Sequence, residues 1–170
     1  MSTGLFDCCV RLRSSLALRE LSPNWEAMAE VSRRHILCGF HVYALLGEEP
    51  VQGGFSGADV YARNFAPAFG IHEEAATGTA NGALASLLWR SGAIPPTRTA
   101  LLVAQGDFME PLADCVSRTS RVYVEATGTP GEGPPSVGGS AGFARLGKVD
   151  LATLLPSLAT PPSSSDGARP

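Results

Sequence analysis

At 170 residues, with 44% hydrophobic and 17% charged residues, the chain is the size of one soluble domain that buries a single core. Its formal net charge of −3 is mild and Lys148 is its only lysine, so the sequence lacks the basic stripe with which proteins neutralise nucleic-acid phosphates. No apolar run approaches the ~18 residues that a membrane span requires, so we expect neither nucleic acid nor a membrane as a partner.

The first half of the chain predicts one helix followed by two strands. Ser22 and Pro23 are residue types favoured at a helix N-cap and at the first helical position, and the apolar spacing after them predicts a helix over about 23–34. The segments 39–47 and 58–67 alternate or run apolar over strand-like lengths, with a Gly- and Pro-rich stretch between them. We therefore expect two neighbouring strands.

A second helix and further strands complete the predicted fold. The apolar spacing over about 78–90 predicts an amphipathic helix, and Gly92 lies just past its end. Strands are predicted in "TALLVAQG", "RVYVEATG" and "SVGGSAGFARL". Helices embedded among β segments indicate an α+β domain with a mixed or antiparallel sheet wrapped around a helix, over 1–150. The Pro- and Ser-rich segment 151–170 is expected to be a disordered tail.

The stretch "IHEEAATGTANG" at 71–82 carries the strongest hint of a binding site. It lacks the G-K-[ST] ending of a phosphate loop and the spacing of a dinucleotide fingerprint. Two alternatives remain. The N–H groups around Gly78, Thr79 and Ala80 could bind a carboxylate at the helix start, or Thr77 or Thr79 could simply cap a helix that holds no ligand.

The histidines and cysteines predict no metal site and no nucleophile. His72 lacks the second histidine that a metalloprotease motif places four residues later, and His35 and His41 are expected at the surface or at an edge. The four cysteines show no C-x-x-C spacing, and Cys115 has no histidine near it in sequence to lower its pKa. We therefore expect a protein of the reducing cytoplasm, without a disulfide framework.

Four segments in order, "YARNFAPAFGIHEEAATGTANGALASLLW", "AQGDFMEPL", "VYVEATGT" and "VGGSAGFARLGKV", resemble the C-terminal half of the PhzF family of phenazine biosynthesis-like proteins. The similarity covers roughly residues 2–149. It implies a fold similar to diaminopimelate epimerase, in which two related α+β domains enclose an active site in the cleft between them. It also implies a cofactor-independent isomerase that moves a proton next to the carboxylate of a small acid.

The resemblance also implies which residues form the site. The family pattern E-D-P-A-T-G-S-A matches residues 73–80, so Glu74 stands for the aspartate that contacts the substrate and Thr79 for the small hydroxyl residue. Glu74 and Thr79 are therefore the expected catalytic residues, and Thr77, Gly78, Thr79 and Ala80 the expected substrate-binding residues. In the cysteine-dependent racemases of this fold a cysteine occupies the position of Thr77, so two-thiol chemistry is excluded. No metal and no other cofactor is expected.

The chain departs from the family pattern in its length. Family members are about twice as long, and their catalytic glutamate lies beside a G-N-P motif in the N-terminal domain, whereas this sequence contains no G-N-P. We therefore expect one wall of a two-domain active site, which needs a second copy or a second PhzF-like domain to be complete. The alternative is a catalytically inactive half that acts as a dimerisation or binding module.

Overall fold

The computed structural model describes residues 4–45, 57–109 and 119–140. These lie in a compact unit that spans Met1–Ser140, whereas the unit Ala141–Pro170 lies outside the described residues. The domain end near 150 and the disordered tail therefore stay predictions. Within the described ranges, no helix is long and apolar enough to cross a bilayer.

The described residues form seven strands, three α-helices and one short 3₁₀ helix, which agrees with the predicted α+β class. In chain order they are β1 (Asp7–Arg11), α1 (Ser15–Arg19), α2 (Trp25–His35), β2 (Gly39–Leu45), β3 (Val60–Ala66), the 3₁₀ helix (Pro67–Phe69), β4 (Ile71–Glu74), α3 (Gly78–Arg90), β5 (Ala100–Gln105), β6 (Ser120–Glu125) and β7 (Ser136–Gly138).

All seven strands belong to one mixed sheet, in which six follow the order β1-β2-β3-β5-β6-β7 and β4 pairs with β3 outside this order. The β1–β2 and β3–β5 pairs are parallel, and the β2–β3, β3–β4, β5–β6 and β6–β7 pairs are antiparallel. The predicted pairing of the strands at 39–47 and 58–67 is confirmed. Strand β3 pairs with β5 near its start, at Val60, and with β4 near its end, at Asn64. Strands β4 and β5 therefore both pair with β3, which brings the end of β4 close to the end of β5.

Helix α3 packs on one face of this sheet and helices α1 and α2 on the other. Leu84 and Leu88 of α3 are at most 1% exposed and contribute to a core with apolar side chains of β2, β3, β5 and β6. The second core contains Leu18 of α1 and Phe65 of β3, both fully buried. The predicted bounds of α3 are confirmed, and Gly92 adopts the left-handed conformation just past its end, with φ 71°.

The start of α2 differs from the prediction. The N-cap is Asn24 rather than Ser22, because the Oδ1 atom of Asn24 accepts a hydrogen bond from the N–H of Ala27 at 3.0 Å. Pro23 therefore lies before the helix instead of at its first position. The helix ends at His35, and its C-cap Ile36 has φ 56° although β-branched residues rarely adopt the left-handed region.

Four described elements were not predicted, namely β1, α1, the 3₁₀ helix and β4. Strand β4 has the sequence IHEE, whose single apolar residue, Ile71, gives no apolar alternation, and it lies inside the stretch 71–82, for which no strand was predicted. It forms because β3 offers it a pairing edge, with a register irregularity between Asn64 and Ala66. This short strand positions the two glutamates of the candidate site.

Candidate active site

Strand β4 directs Glu73 and Glu74 to opposite faces of the sheet, because side chains alternate along a strand. Glu73 forms a two-point ion pair with Arg63, whose Nε and Nη2 donate to its two carboxylate oxygens at 2.9 and 2.8 Å. Both side chains are nearly buried, at 11% and 9% exposure. The Nη1 of Arg63 also donates to the carbonyl oxygens of Leu18 and Leu21. Both carboxylate oxygens of Glu73 are therefore occupied by Arg63, and Arg63 in turn holds the end of α1 against the sheet.

Glu74 faces the other side, where it is half-buried and next to the start of α3. Its Oε2 accepts the hydroxyl hydrogen of Thr77 at 2.7 Å and is 3.4 Å from the Nδ2 of Asn64, a long hydrogen bond. A carboxylate held in this way keeps lone pairs available for a further donor. The structure thus brings together Glu74 and Thr77, two of the predicted site residues.

Thr77 is the N-cap residue of α3, as one of the two alternatives expected, but its hydroxyl accepts no hydrogen bond from the helix. The hydroxyl donates to Glu74 instead, and it accepts from the Nε2 of Gln105 at 2.9 Å. The Nδ2 of Asn81 donates to the carbonyl oxygen of Thr77 at 2.9 Å, and the N–H of Asn81 donates to the same oxygen at 3.1 Å. The start of α3 is therefore held in place by Asn81, which belongs to the helix, and by Gln105, which lies outside it.

Gln105 was not identified from the sequence, although it is fully buried at the end of β5. Its Nε2 donates to the carbonyl oxygen of Glu74 and to the hydroxyl of Thr77, and its Oε1 accepts from the N–H of Thr77 and from the Nδ2 of Asn81. A polar residue at the end of an otherwise apolar strand was the signal that could have revealed it, because buried amides need several hydrogen-bond partners.

The expectation that His41 lies at the surface or an edge is wrong. His41 is fully buried, with its Nδ1 3.0 Å from the Oδ1 of Asn64 and its Nε2 3.1 Å from the Oδ1 of Asn81. Burial lowers the pKa of His41, against the opposing effect of the two amide contacts and of the nearby Asp7. His35, at the end of α2, is exposed as expected.

The first turn of α3 borders a separate cavity of about 650 Å³. Gly78 and Thr79 are exposed and line this cavity together with Val137 of β7, whereas the side chain of Ala80 is fully buried. Glu74 is not among the lining residues. The predicted site residues are therefore divided between the Glu74 side of the helix start and the cavity side.

The described cysteines are not arranged for catalysis. Burial, together with the charge of Asp7, raises the pKa of Cys9 to about 11, and burial also raises the pKa of Cys38. These thiols are protonated near neutral pH and are poor nucleophiles. Cys115 lies outside the described residues. Within the described ranges, no group of three or more His, Cys, Asp and Glu side chains could hold a metal ion.

Two relatives of this chain are named as uncharacterized isomerases. The protein from Deinococcus radiodurans is 33% identical over 148 residues, which cover 86% of this chain and 43% of the relative. The protein from Clostridium acetobutylicum is 33% identical over 88 residues, which cover 52% of this chain and 27% of the relative. The chain thus spans less than half the length of either.

A solved structure and a family model also match this chain. The crystal structure of a PhzF-family phenazine biosynthesis protein from Bacillus anthracis matches with a TM-score of 0.55 at 19% identity, covering 80% of this chain and 42% of that one. At this identity the match shows the fold, which PhzF proteins share with diaminopimelate epimerase. A family model with the description phenazine biosynthesis-like protein matches residues 1–141. The chain therefore belongs to the PhzC-PhzF family of phenazine biosynthesis-like proteins.

Proposed function

We propose that this chain is the C-terminal half of a cofactor-independent isomerase and forms one wall of its two-domain active site. The reaction is a proton transfer next to the carboxylate of a small carboxylic acid. Two relatives named as isomerases support the reaction class. These relatives are longer than the part that matches this chain, and their unmatched part would correspond to the domain that forms the second wall.

The observation that carries the proposal is the placement of Glu74. Its carboxylate is half-buried and oriented by the hydroxyl of Thr77 at 2.7 Å, and Glu74 lies four residues before the first residue of a helix of 13 residues. An oriented carboxylate can accept a hydrogen bond from a substrate hydroxyl or amine and can take part in proton transfer. Glu73, by contrast, is fully engaged with Arg63 and cannot serve in this way.

The start of α3 supports binding of an anion. The N–H groups of Gly78, Thr79 and Ala80 precede the first intrahelical bond of the helix, which Asn81 makes to Thr77. The helix dipole favours a carboxylate at this end, and the charge that develops during proton abstraction would be stabilised by the same groups. No acidic residue occupies the first turn of the helix.

The second wall would come from a homologous domain, either in a longer polypeptide or in a second chain. It would supply the base that the family resemblance associates with a G-N-P motif, which this sequence lacks. A cytoplasmic location and independence of metals and other cofactors belong to the same proposal.

The proposal is tested with two probe ligands, acetate as a simple carboxylate and lactate as a hydroxy acid. In NMR titrations of the full chain, the amides of Gly78, Thr79 and Ala80 should shift with both. The Glu74→Gln variant should bind acetate more tightly, because a like charge is removed, and lactate more weakly, because a strong acceptor for its hydroxyl is lost. Each change should be about two- to fivefold in affinity.

The matched control is Glu26→Gln, which removes one negative charge from an exposed position in the first turn of α2. It should leave both affinities unchanged. If none of the three amides shifts with either ligand, the helix start is only a capped terminus and the proposed site is abandoned.

The alternative function is a dimerisation or binding module without catalysis, and one observation favours it. Large apolar side chains lie exposed around a groove of about 460 Å³, among them Phe6 at 63%, Ile36 at 84% and Phe69 at 66% exposure. Clustered apolar surface of this kind often marks a protein interface.

The two functions are separated by measuring both mass and proton exchange. Light scattering over a wide concentration range should show self-association that the Phe6→Ser, Phe69→Ser double variant weakens. Lactate incubated with the chain in D₂O should exchange the hydrogen at its α-carbon only if the assembly is catalytic. Association without exchange, also in the presence of a domain that carries the G-N-P motif, would favour the binding module.

A further inference from the structure

Six polar side chains form a closed circuit of hydrogen bonds around the start of α3, which we call the polar ring. Its members come from five elements and from the N-cap of α3, so residues distant in sequence meet in one network. In order around the ring they are His41, Asn64, Glu74, Thr77, Gln105 and Asn81.

Two arms lead from His41 to Glu74, and in both arms the donors point the same way. In the short arm the Nδ1 of His41 meets the Oδ1 of Asn64, and the Nδ2 of Asn64 points at Glu74. The long arm starts with the Nε2 of His41 at the Oδ1 of Asn81. It continues from Asn81 to Gln105 at 2.7 Å, from Gln105 to Thr77 at 2.9 Å and from Thr77 to Glu74.

This polarity corresponds to one charge state of His41. Both ring nitrogens of His41 face amide oxygens, which only accept hydrogen bonds, so in this arrangement of the ring both nitrogens donate. A histidine that donates twice is an imidazolium. Every intermediate member accepts from one neighbour and donates to the next, and Glu74 only accepts, as an ionised carboxylate does.

We propose that His41 is a positioning residue of the candidate site: in its protonated form it orients Asn64 toward Glu74, and loss of that proton releases the contact. The hydrogen bonds of the polar ring form without a ligand. That His41 affects catalysis through them rests on the proposed function. His41 does not itself reach the helix start, so it acts through Asn64 and Asn81.

The two arms differ in their freedom to rearrange. The Nδ2 of Asn81 uses both of its hydrogens, on the carbonyl oxygen of Thr77 at 2.9 Å and on Gln105 at 2.7 Å, so this amide is locked. The Nδ2 of Asn64 makes only the 3.4 Å contact to Glu74. When His41 is neutral, Asn64 therefore turns its Nδ2 to the ring and its oxygen to Glu74. Two acceptors then face each other, and the Glu74 carboxylate shifts away.

The charged groups around His41 are carboxylates. Asp7 of β1 acts on it directly, and Glu74 of β4 is joined to it through Asn64. Cys9, its partner across β1 and β2, is a neutral thiol because its pKa is raised to about 11. Strand β5 and helix α3 contribute amides, and Arg63 lies on the opposite face of β3 in its pair with Glu73. Burial lowers the pKa of His41, so the proton is exchanged on the acid side of 6.5.

The test is an NMR titration of the His41 ring nitrogens in the full chain, without ligand, from about pH 8 down to the lowest pH at which the chain stays folded. At acid pH both nitrogens should be protonated, and at neutral pH only Nε2 should keep its hydrogen. The side-chain amide of Asn64 should shift with the same midpoint. A His41 ring that keeps one neutral tautomer over the whole range would overturn the proposal.

Two variants then ask whether the proton is coupled to Glu74. Asn64→Leu removes the short arm and should lower the His41 midpoint by about one pH unit, since a hydrogen bond to the charged form is lost. Glu74→Gln should lower it by about half a unit or more, because an opposite charge is removed. Glu26→Gln, which removes the same charge elsewhere, should not move it. Equal midpoints in wild type and Glu74→Gln contradict the coupling even if Asn64→Leu does not fold.

The outcome for His41 is independent of the outcome for ligands. The first possible result is that the His41 midpoint changes in Glu74→Gln while the amides of α3 do not shift with acetate or lactate. This result supports the positioning role of His41 and contradicts the proposed isomerase site. The second is that the ligands bind with the same pH dependence in wild type and in Asn64→Leu and that the His41 midpoint does not respond to Glu74, which supports the site and contradicts the role of His41.

Discussion

The guanidinium of Arg63 donates to both carboxylate oxygens of Glu73, at 2.9 and 2.8 Å, and the pair is nearly buried between β3, β4 and α1. Arg63 also satisfies two carbonyl oxygens around the end of α1, those of Leu18 and Leu21. The pair thus joins α1 to the paired strands β3 and β4, and it does so directly beside the glutamate of the candidate site.

Breaking this pair should destabilise the protein strongly. Glu73→Gln leaves the Arg63 charge buried without a counter-charge, and the expected loss is about 3 to 5 kcal/mol in the free energy of unfolding. Chemical denaturation followed by circular dichroism measures it. The double variant Arg63→Met, Glu73→Gln should recover part of the loss, because it no longer buries an unpaired charge. Equal stability of the Glu73→Gln variant and wild type would show that the pair contributes nothing.

Thr77 should matter through its hydroxyl rather than through its shape. Thr77→Val keeps the volume but leaves the Nε2 of Gln105 and the carboxylate of Glu74 each without one partner, at an expected cost of about 1 to 3 kcal/mol. Thr77→Ser should retain most of the stability, since its hydroxyl can make both bonds. Thermal and denaturant unfolding of both variants check this. A valine variant as stable as the serine variant would contradict the assignment.

The stability of the protein should depend on pH through His41. Burial lowers the pKa of His41 in the folded state, so below 6.5 the unfolded chain binds the proton more tightly than the folded chain. The free energy of unfolding should therefore fall as the pH drops below 6.5, with a limiting slope of about 1.4 kcal/mol per pH unit, until the folded state is protonated too.

Comparison with His41→Gln isolates this effect. The variant cannot titrate at this position, so its stability should change less between about pH 7 and about pH 5. Asp7 acts in the opposite sense, because burial raises its pKa above 3.8 and the folded state then gains from protonation as the pH falls. Parallel slopes for wild type and variant in denaturation curves across this range would rule out the contribution of His41.

Ile36 offers a stabilising substitution. It has φ 56° and ψ 42°, and its side chain is 84% exposed, so a β-branched residue is strained there with little burial in return. Ile36→Asn, a residue that tolerates this conformation, should raise the free energy of unfolding by about 1 kcal/mol. Val31→Asn, at an exposed site within α2, is the control and should not stabilise. A destabilised Ile36→Asn would mean that the exposed side chain is covered by an interaction in solution.

The sequence predicted the elements that have a clear apolar period, and it missed those that depend on partners. Helix α3 and strands β2 and β3 were found because their buried residues recur at regular spacing. Strand β4 was missed, since its four residues form a strand only because β3 pairs with them. For the site, Glu74 and Thr77 were reached by resemblance.

The buried members of the polar ring could not be recognised in the same way. His41 stands in an otherwise apolar run, where nothing nearby in sequence shows that Asn64 and Asn81 will meet its two nitrogens. Gln105 is similar, because the groups that satisfy it lie about 30 residues away. Buried polar contacts between distant residues leave no periodic trace in one sequence.

The double pairing of β3 has a consequence for folding kinetics. Its end pairs with the nearby β4, but its start pairs in parallel with β5, at Val60 and Val103, and α3 must cross between them. Closing this long loop costs more chain entropy than forming the β2–β3 or β3–β4 hairpins, so β5 should dock after them. Strand β5 carries Gln105, which holds Thr77 and the start of α3 in place. Before β5 docks, Glu74 would therefore lie on β4 without the contacts that Gln105 provides. The candidate site should then become complete only after β5 has docked.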